Sequence, residues 1–430
     1  MMAALATLAA AAVLALGPLP VVDAPLPDGS APRTPAAGLR APERCEDSGG
    51  GPVPRVPDPA VVTMGLDAAH RIATGRGVRI AVIDTGIAPH PRLSGRVTGV
   101  GDYVRGGSGL EDCDGHGTAV AGLLAATPDA GDAFRGVAPD SSLLSIRQSS
   151  QEFRVPAPGG GDRGVGNTGT LADALVLAVR AGADVVNVSE AACVTPTDAE
   201  AAAPPLRAAL RFAAERDVVV VAAAGNVGNG GCAEGQVALP GWLGEDVLTV
   251  GALDERGGPA PFGVRGPWVD VAAPGAGLTS LGVPVGFSRE PLRGTSFATP
   301  FVAGTVALLM QRRPTASARE IVGTVVATAR PVATAPGDAV GRGVVDPVAA
   351  LTRGDAPEPP ADTGAANAPA DVPAPPRTET GTPTSRPTAL LPGAPDDAEA
   401  PLSTGTAVAI VVACAGALPL AIRMMRRPRP

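Results

Sequence analysis

Ser296 stands in Gly294-Thr295-Ser296-Phe297-Ala298-Thr299-Pro300, and an apolar run over residues 301–310 follows at once. A turn of small residues feeding a buried helix puts the serine at a helix N-terminus. Free backbone N–H groups and the positive end of the helix dipole favour an anion there. An acyl-transfer nucleophile requires that setting, although a plain N-capping serine would look the same in isolation. Three other contexts supply the missing parts. Asp84 closes the apolar run 78–83 and precedes Thr85-Gly86. His116 lies in Asp112-Cys113-Asp114-Gly115-His116-Gly117-Thr118. Asn226 ends Ala223-Ala224-Gly225-Asn226. Together they list the parts of serine acyl transfer. Ser296 attacks a carbonyl, and His116 takes its proton and returns it to the leaving amine. Asp84 fixes the imidazole tautomer, while Asn226 and the Ser296 backbone N–H bind the oxyanion. His70 and His90 sit in no comparable setting and receive no role.

The elements that must position these groups follow from hydrophobic patterning. Strands are expected at 77–83, 143–147, 184–188, 217–223, 247–250 and 269–271. Helices are expected at 62–73, 119–126, 171–181, 206–215, 301–310 and 317–327, with 344–351 closing the domain. Strands alternating with helices imply an α/β doubly wound, mostly parallel sheet with helices on both faces. Such a sheet gathers strand ends and helix starts along one edge. Residues 148–169 are polar and rich in Gly and Pro, and are expected to form a surface insertion on that face, mobile or open to cleavage.

The flanks describe an exported chain. Residues 1–24 read as a signal peptide, with an apolar stretch over 3–16 but no basic leader. Residues 25–60 form a Pro-rich arm with no core of its own, ahead of a folded domain at 61–352. Residues 353–401 have linker composition. The uncharged stretch 402–422 is long enough to span a bilayer, and the basic tail 423–430 places the C-terminus in the cytoplasm and the domain outside. Net charge is −8 and the basic residues, all Arg, form no stripe, which argues against nucleic acid. With three His and no CxxC, no metal is expected, nor any cofactor. Cys414 falls inside the apolar stretch. Cys45, Cys113, Cys193 and Cys232 fit two disulfides of an oxidising compartment, in any of three connectivities.

The order and contexts of Asp84, His116 and Ser296 resemble the subtilisin family over residues 61–351. The resemblance implies a subtilisin-like fold and serine endopeptidase activity, with Asn226 in the oxyanion segment. It implies that Val186-Asn187-Val188-Ser189 is the edge strand that pairs with substrate, and that Ser189, Glu190, Ala191, Ala223 and Gly225 contact it. Glu190-Ala191-Ala192 stands where many subtilisins have a glycine-rich apolar stretch lining the first specificity pocket. Methyl groups narrow that groove and Glu190 adds negative charge, so a narrow substrate range is expected. A folded pro-domain is not expected ahead of Asp84. The whole layout is most similar to the mycosins, the subtilisin-like proteases of type VII secretion systems. That likeness implies Cys45–Cys113 and Cys193–Cys232 bridges, a protein substrate, and the type VII secretion membrane complex as partner. It leaves two roles open: processing of a secreted substrate, or stabilisation of the complex itself.

Overall fold

The computed structural model describes residues 24–353, except 158, 229, 230, 245 and 334. The expected signal peptide, linker, membrane span and basic tail lie outside the described residues. Among the described residues no helix is long and apolar enough to cross a membrane.

Residues 24–57 run without helix or strand apart from isolated bridges. Their backbone is satisfied by the domain instead. Arg40 and Arg154 exchange backbone bonds of 2.8 and 3.0 Å, and the Gly49 and Gly51 N–H groups donate to the Val283 and Phe287 carbonyls at 2.8 and 2.9 Å. A Cys45–Cys113 disulfide fastens the arm midway. The helix expected over 62–73 is split into α1 (Pro59–Val62) and α2 (Leu66–His70).

The chain then lays down β1 (Arg79–Asp84), β2 (Val97–Asp102), α3 (His116–Ala125) and β3 (Ser142–Arg147). A hairpin of β4 (Ser150–Pro156) and β5 (Asp162–Val165) precedes α4 (Thr168–Arg180), β6 (Val185–Val188), β7 (Ala192–Val194), α5 (Pro196–Ala214), β8 (Val219–Ala223) and β9 (Val237–Leu239). It closes with β10 (Leu248–Leu253), β11 (Val271–Pro274), β12 (Ala276–Leu278), β13 (Leu292–Arg293), α6 (Thr295–Arg312), α7 (Ala318–Thr328), α8 (Gly337–Val340) and α9 (Pro347–Thr352).

Seven strands form the central sheet in the order β11-β10-β8-β6-β1-β3-β2, and every pairing is parallel. Alternate residues of β1 serve two cores. Ile80 and Val82 pack with α3 and α6, whereas Ala81 and Ile83 pack with α4 and α5. Connections after β1 run to one side of the sheet and those after β6 to the other. The crevice beyond the carboxyl ends of these neighbours is where an open α/β sheet binds ligands. Asp84 ends β1, and Ser189 directly follows β6.

Three expectations need correction. Val186-Asn187-Val188-Ser189 is no edge strand: β6 lies between β1 and β8 and is buried throughout. Residues 148–169 are not a loose insertion, because β4 and β5 pair antiparallel and the arm's Arg40 extends the pairing. The helix expected at 206–215 starts ten residues earlier and runs through Pro204 and Pro205. The carbonyls that lose donors to those prolines belong to Glu200 and Ala201, both exposed, where water can satisfy them.

Candidate active site

Asp84 is fully buried at the end of β1. Its Oδ1 accepts a 2.7 Å bond from His116 Nδ1 and a 2.7 Å bond from the Thr85 N–H. His116 is the first residue of α3, delivered by Gly115 in a left-handed conformation (φ 75°). Gly117 must stay bare, since a Cβ there would lie 2.0 Å from the Gly86 carbonyl oxygen. Buried Asp112 secures this start. Its carboxylate accepts from the Gly115 and Thr118 N–H groups and the Thr118 hydroxyl at 2.7–2.8 Å. The Thr85 hydroxyl donates to Asp112 at 2.8 Å and accepts from the Gly117 N–H at 2.9 Å, joining the β1 end to α3. Asp114 fixes the roof of the site, accepting from the Ser150 hydroxyl and from the N–H groups of Gln151 and Glu152 at 2.5–3.0 Å.

Burial alone would strip the proton from the His116 ring, and it is the largest single influence. The Asp84 charge and hydrogen bond, followed by the charges of Glu190 and Asp112, outweigh it, and the ring pKa is pushed up to about 10. Glu190 Oε1 lies 3.9 Å from His116 Nδ1. Burial first, then repulsion from Asp84, push the Glu190 carboxyl up to about 7, against the pull of His116.

Ser296 is the second residue of α6, a helix buried almost all round. Pro300 cannot donate to the Ser296 carbonyl four residues back. The Ser189 hydroxyl does so instead, at 2.8 Å, and itself accepts from Asn187 Nδ2 at 2.9 Å. Ser189 therefore ties the β6 end to the start of α6. The Phe297 and His116 rings lie 5.1 Å apart. Among the described residues no hydrogen bond joins the Ser296 hydroxyl to the His116 ring, although both face one cleft. In empty sites such bonds tighten only once substrate is present.

Asn226 follows β8. Its Oδ1 is occupied by the Thr295 N–H at 2.9 Å and the Thr295 hydroxyl at 3.2 Å, and that hydroxyl accepts from the Gly225 N–H at 3.1 Å. With the carbonyl end held, the amide nitrogen is the end left for the cleft. The cleft, about 820 Å³, is lined by Ser189, Glu190, Ala191, Gly225, Asn226 and Ser296 among others. Ala223 is buried within β8 and is not part of that lining. A Cys193–Cys232 disulfide joins the two walls: Cys193 lies in β7, and the Cys232 N–H donates to the Asn226 carbonyl at 2.6 Å. One ligand atom each from Asp84, His116 and Glu190 comes within 4.8 Å of the others, a trio that could hold a cation. A proton already bridges two of them.

Thr85, Asp112, Asp114 and Thr295 hold the site together without a sequence signal that singles them out. All four sit within or beside the glycine-marked motifs, and that shared placement is the signal the sequence offers for the group.

Comparison with known proteins agrees with this architecture. Residues 75–358 match the subtilase family of S8 peptidases. Mycosin-4 of Mycobacterium tuberculosis is 43% identical over 343 residues, covering 74% of this chain and 73% of its own. A solved MycP3 protease from the type VII (ESX-3) secretion system superposes with a TM-score of 0.69 at 37% identity, covering 76% of this chain and 96% of that one. A chain from the periplasmic assembly of the ESX-5 inner membrane complex gives 0.70 at 35% identity, covering 82% and 98%. A helix that opens on Ser296, a carboxylate-bound imidazole and an amide at the carboxyl edge of a parallel sheet are the arrangement of a serine peptidase of the subtilisin type. The chain belongs to the subtilase family and, within it, to the mycosins.

Proposed function

We propose that this chain is a membrane-anchored serine endopeptidase of narrow specificity, acting outside the cytoplasmic membrane, associated with type VII secretion and processing a secreted protein substrate. The observation that carries the reading is the 2.7 Å Asp84–His116 bond in a cleft shared with Ser296 and Asn226. In acylation Ser296 Oγ bonds to the scissile carbonyl carbon while His116 Nε2 takes the hydroxyl proton. The Asn226 amide and the Ser296 N–H receive the negative charge on oxygen. The ring then passes its proton to the leaving nitrogen as the C–N bond breaks, and water repeats the sequence to release the acid. Asp84 keeps Nδ1 protonated, so that Nε2 is the basic nitrogen. The apolar stretch 402–422, with its basic tail, is the anchor in this reading.

A fluorophosphonate probe tests the chemistry: it should label Ser296 in the full chain, and His116→Ala should suppress labelling. Equal labelling of that variant would remove His116 from its role. A second reading, a structural part of the secretion complex, is favoured by the similarity to a chain of the ESX-5 assembly. Comparing Ser296→Ala with deletion of the whole chain separates the two. Equal loss of secretion means that catalysis matters; loss on deletion alone means that the body of the protein does.

A further inference from the structure

A serine peptidase needs one carboxylate on its histidine, and this site has two. Glu190 Oε1 stands 3.9 Å from the same Nδ1 that donates to Asp84 at 2.7 Å. Both partners are only partly open to solvent, Glu190 at 23% and His116 at 27%, so water screens the pair weakly. The backbone that carries Glu190 is held in place. Glu190 follows Ser189, whose hydroxyl is tied to the nucleophile's own carbonyl, and it precedes the stapled strand β7.

A second carboxylate stabilises the imidazolium, and an imidazolium cannot accept the Ser296 proton. The surrounding charges do not relieve this. Asp112 and Asp114 come from the loop before α3, Glu46 from the arm and Glu152 from β4; among the described lining residues the cation is Arg293. The high ring pKa reflects the same arrangement. An acidic cleft that holds its base protonated is suited to a substrate that brings a positive charge.

We propose that Glu190 is a substrate-released brake: in the empty cleft it pairs with protonated His116, and an Arg or Lys side chain near the scissile bond draws its carboxylate away, freeing the ring as a base. The ring proton leaves to solvent before acylation, which then runs as above. Glu190 is thus a positioning and specificity residue of the proposed peptidase, and the inference rests on that reading.

The test follows fluorophosphonate labelling of Ser296 in the full chain against pH, without peptide. In Glu190→Gln the midpoint of the rise should fall by about one pH unit, giving about tenfold faster labelling near neutrality. Glu190→Asp, which keeps the charge, should restore part of the shift. Matched peptides carrying Arg or uncharged citrulline beside the scissile bond supply the second readout. The wild type should favour Arg by about tenfold in kcat/KM, and Glu190→Gln should lose that preference. An unchanged labelling profile in Glu190→Gln, a Gln-like profile in Glu190→Asp, or a preference that survives Glu190→Gln each overturns the brake while leaving the peptidase intact. Absence of Ser296 labelling in the wild type at every pH overturns the peptidase reading itself.

Discussion

Thr295→Val removes one hydroxyl from a fully buried position and leaves the shape of the side chain intact. That hydroxyl is the weaker of two donors to Asn226 Oδ1, at 3.2 Å against 2.9 Å for the Thr295 N–H, and it is the acceptor for the Gly225 N–H. Two effects should separate. The orphaned Gly225 N–H costs about 1–3 kcal/mol of stability. The loosened Asn226 amide loses about 1 kcal/mol of orientation, which is about fivefold in kcat, with KM nearly unchanged. The ceiling is outright removal of Asn226; about 10²–10³ in kcat is the loss known for subtilisin itself, not a figure worked from this structure. The assay is a double-mutant cycle on peptide hydrolysis, with thermal melts alongside. If Thr295 acts through Asn226, Thr295→Val should cost nothing further in kcat once Asn226→Ala is present, while its stability penalty persists. Losses in kcat that multiply would refute the coupling.

Other perturbations probe separate parts of the molecule. The His116 ring is held well above its ordinary pKa of 6.5, up to about 10. Its stabilising contribution is therefore full below about pH 6.5 and is lost as pH rises through about 10, so melting temperature should fall more steeply over that window in the wild type than in His116→Ala. Asp270, pushed up to about 6 by burial, is penalised when ionised. Asp270→Asn retains an acceptor for the Thr249 N–H and should stabilise by about 1–2 kcal/mol above pH 6, with the gain fading towards pH 4 in urea titrations. Cys45→Ala with Cys113→Ala opens a cross-link spanning 68 residues. It should cost about 2–4 kcal/mol and make residues 24–57 sensitive to added protease.

What the sequence made legible divides along physical lines. The buried strands could be read because a parallel sheet covered on both faces demands continuous Val, Ile and Ala, and β1, β6 and β8 have little else. The helix carrying Ser296 was legible for the same reason. β2 was not: Val97-Thr98-Gly99-Val100-Gly101-Asp102 holds two glycines and lies at the sheet edge, where one missing neighbour relaxes the demand. The β4–β5 hairpin was hidden because its own apolar residues, Phe153, Val155 and Val165, are few, and its polar anchors Asp114 and Arg40 are distant in sequence. Pro204-Pro205 masked the first half of α5, since a proline's cost depends on whether the carbonyls it orphans reach water. At the site, Asp84, His116, Asn226 and Ser296 carry the motifs and could be named. The side chains that aim them could not, because Thr85, Asp112 and Thr295 act through contacts that exist only after folding.

The segment 111–116 shows how far that aiming is shared. Glu111 lies 3.4 Å from buried Arg147 and 3.0 Å from Arg105. Asp112 caps α3, Cys113 holds the arm, Asp114 holds β4, Gly115 makes the turn and His116 meets Asp84. Five of these six residues thus bind other parts of the domain, and Gly115 joins them to the imidazole, so a shift of the segment moves the ring. The arm and the hairpin belong to the catalytic geometry although neither supplies a reacting group. A cut in either should change kcat before it changes the melting temperature, because a displacement of the ring by a fraction of an ångström matters to proton transfer long before it matters to the core.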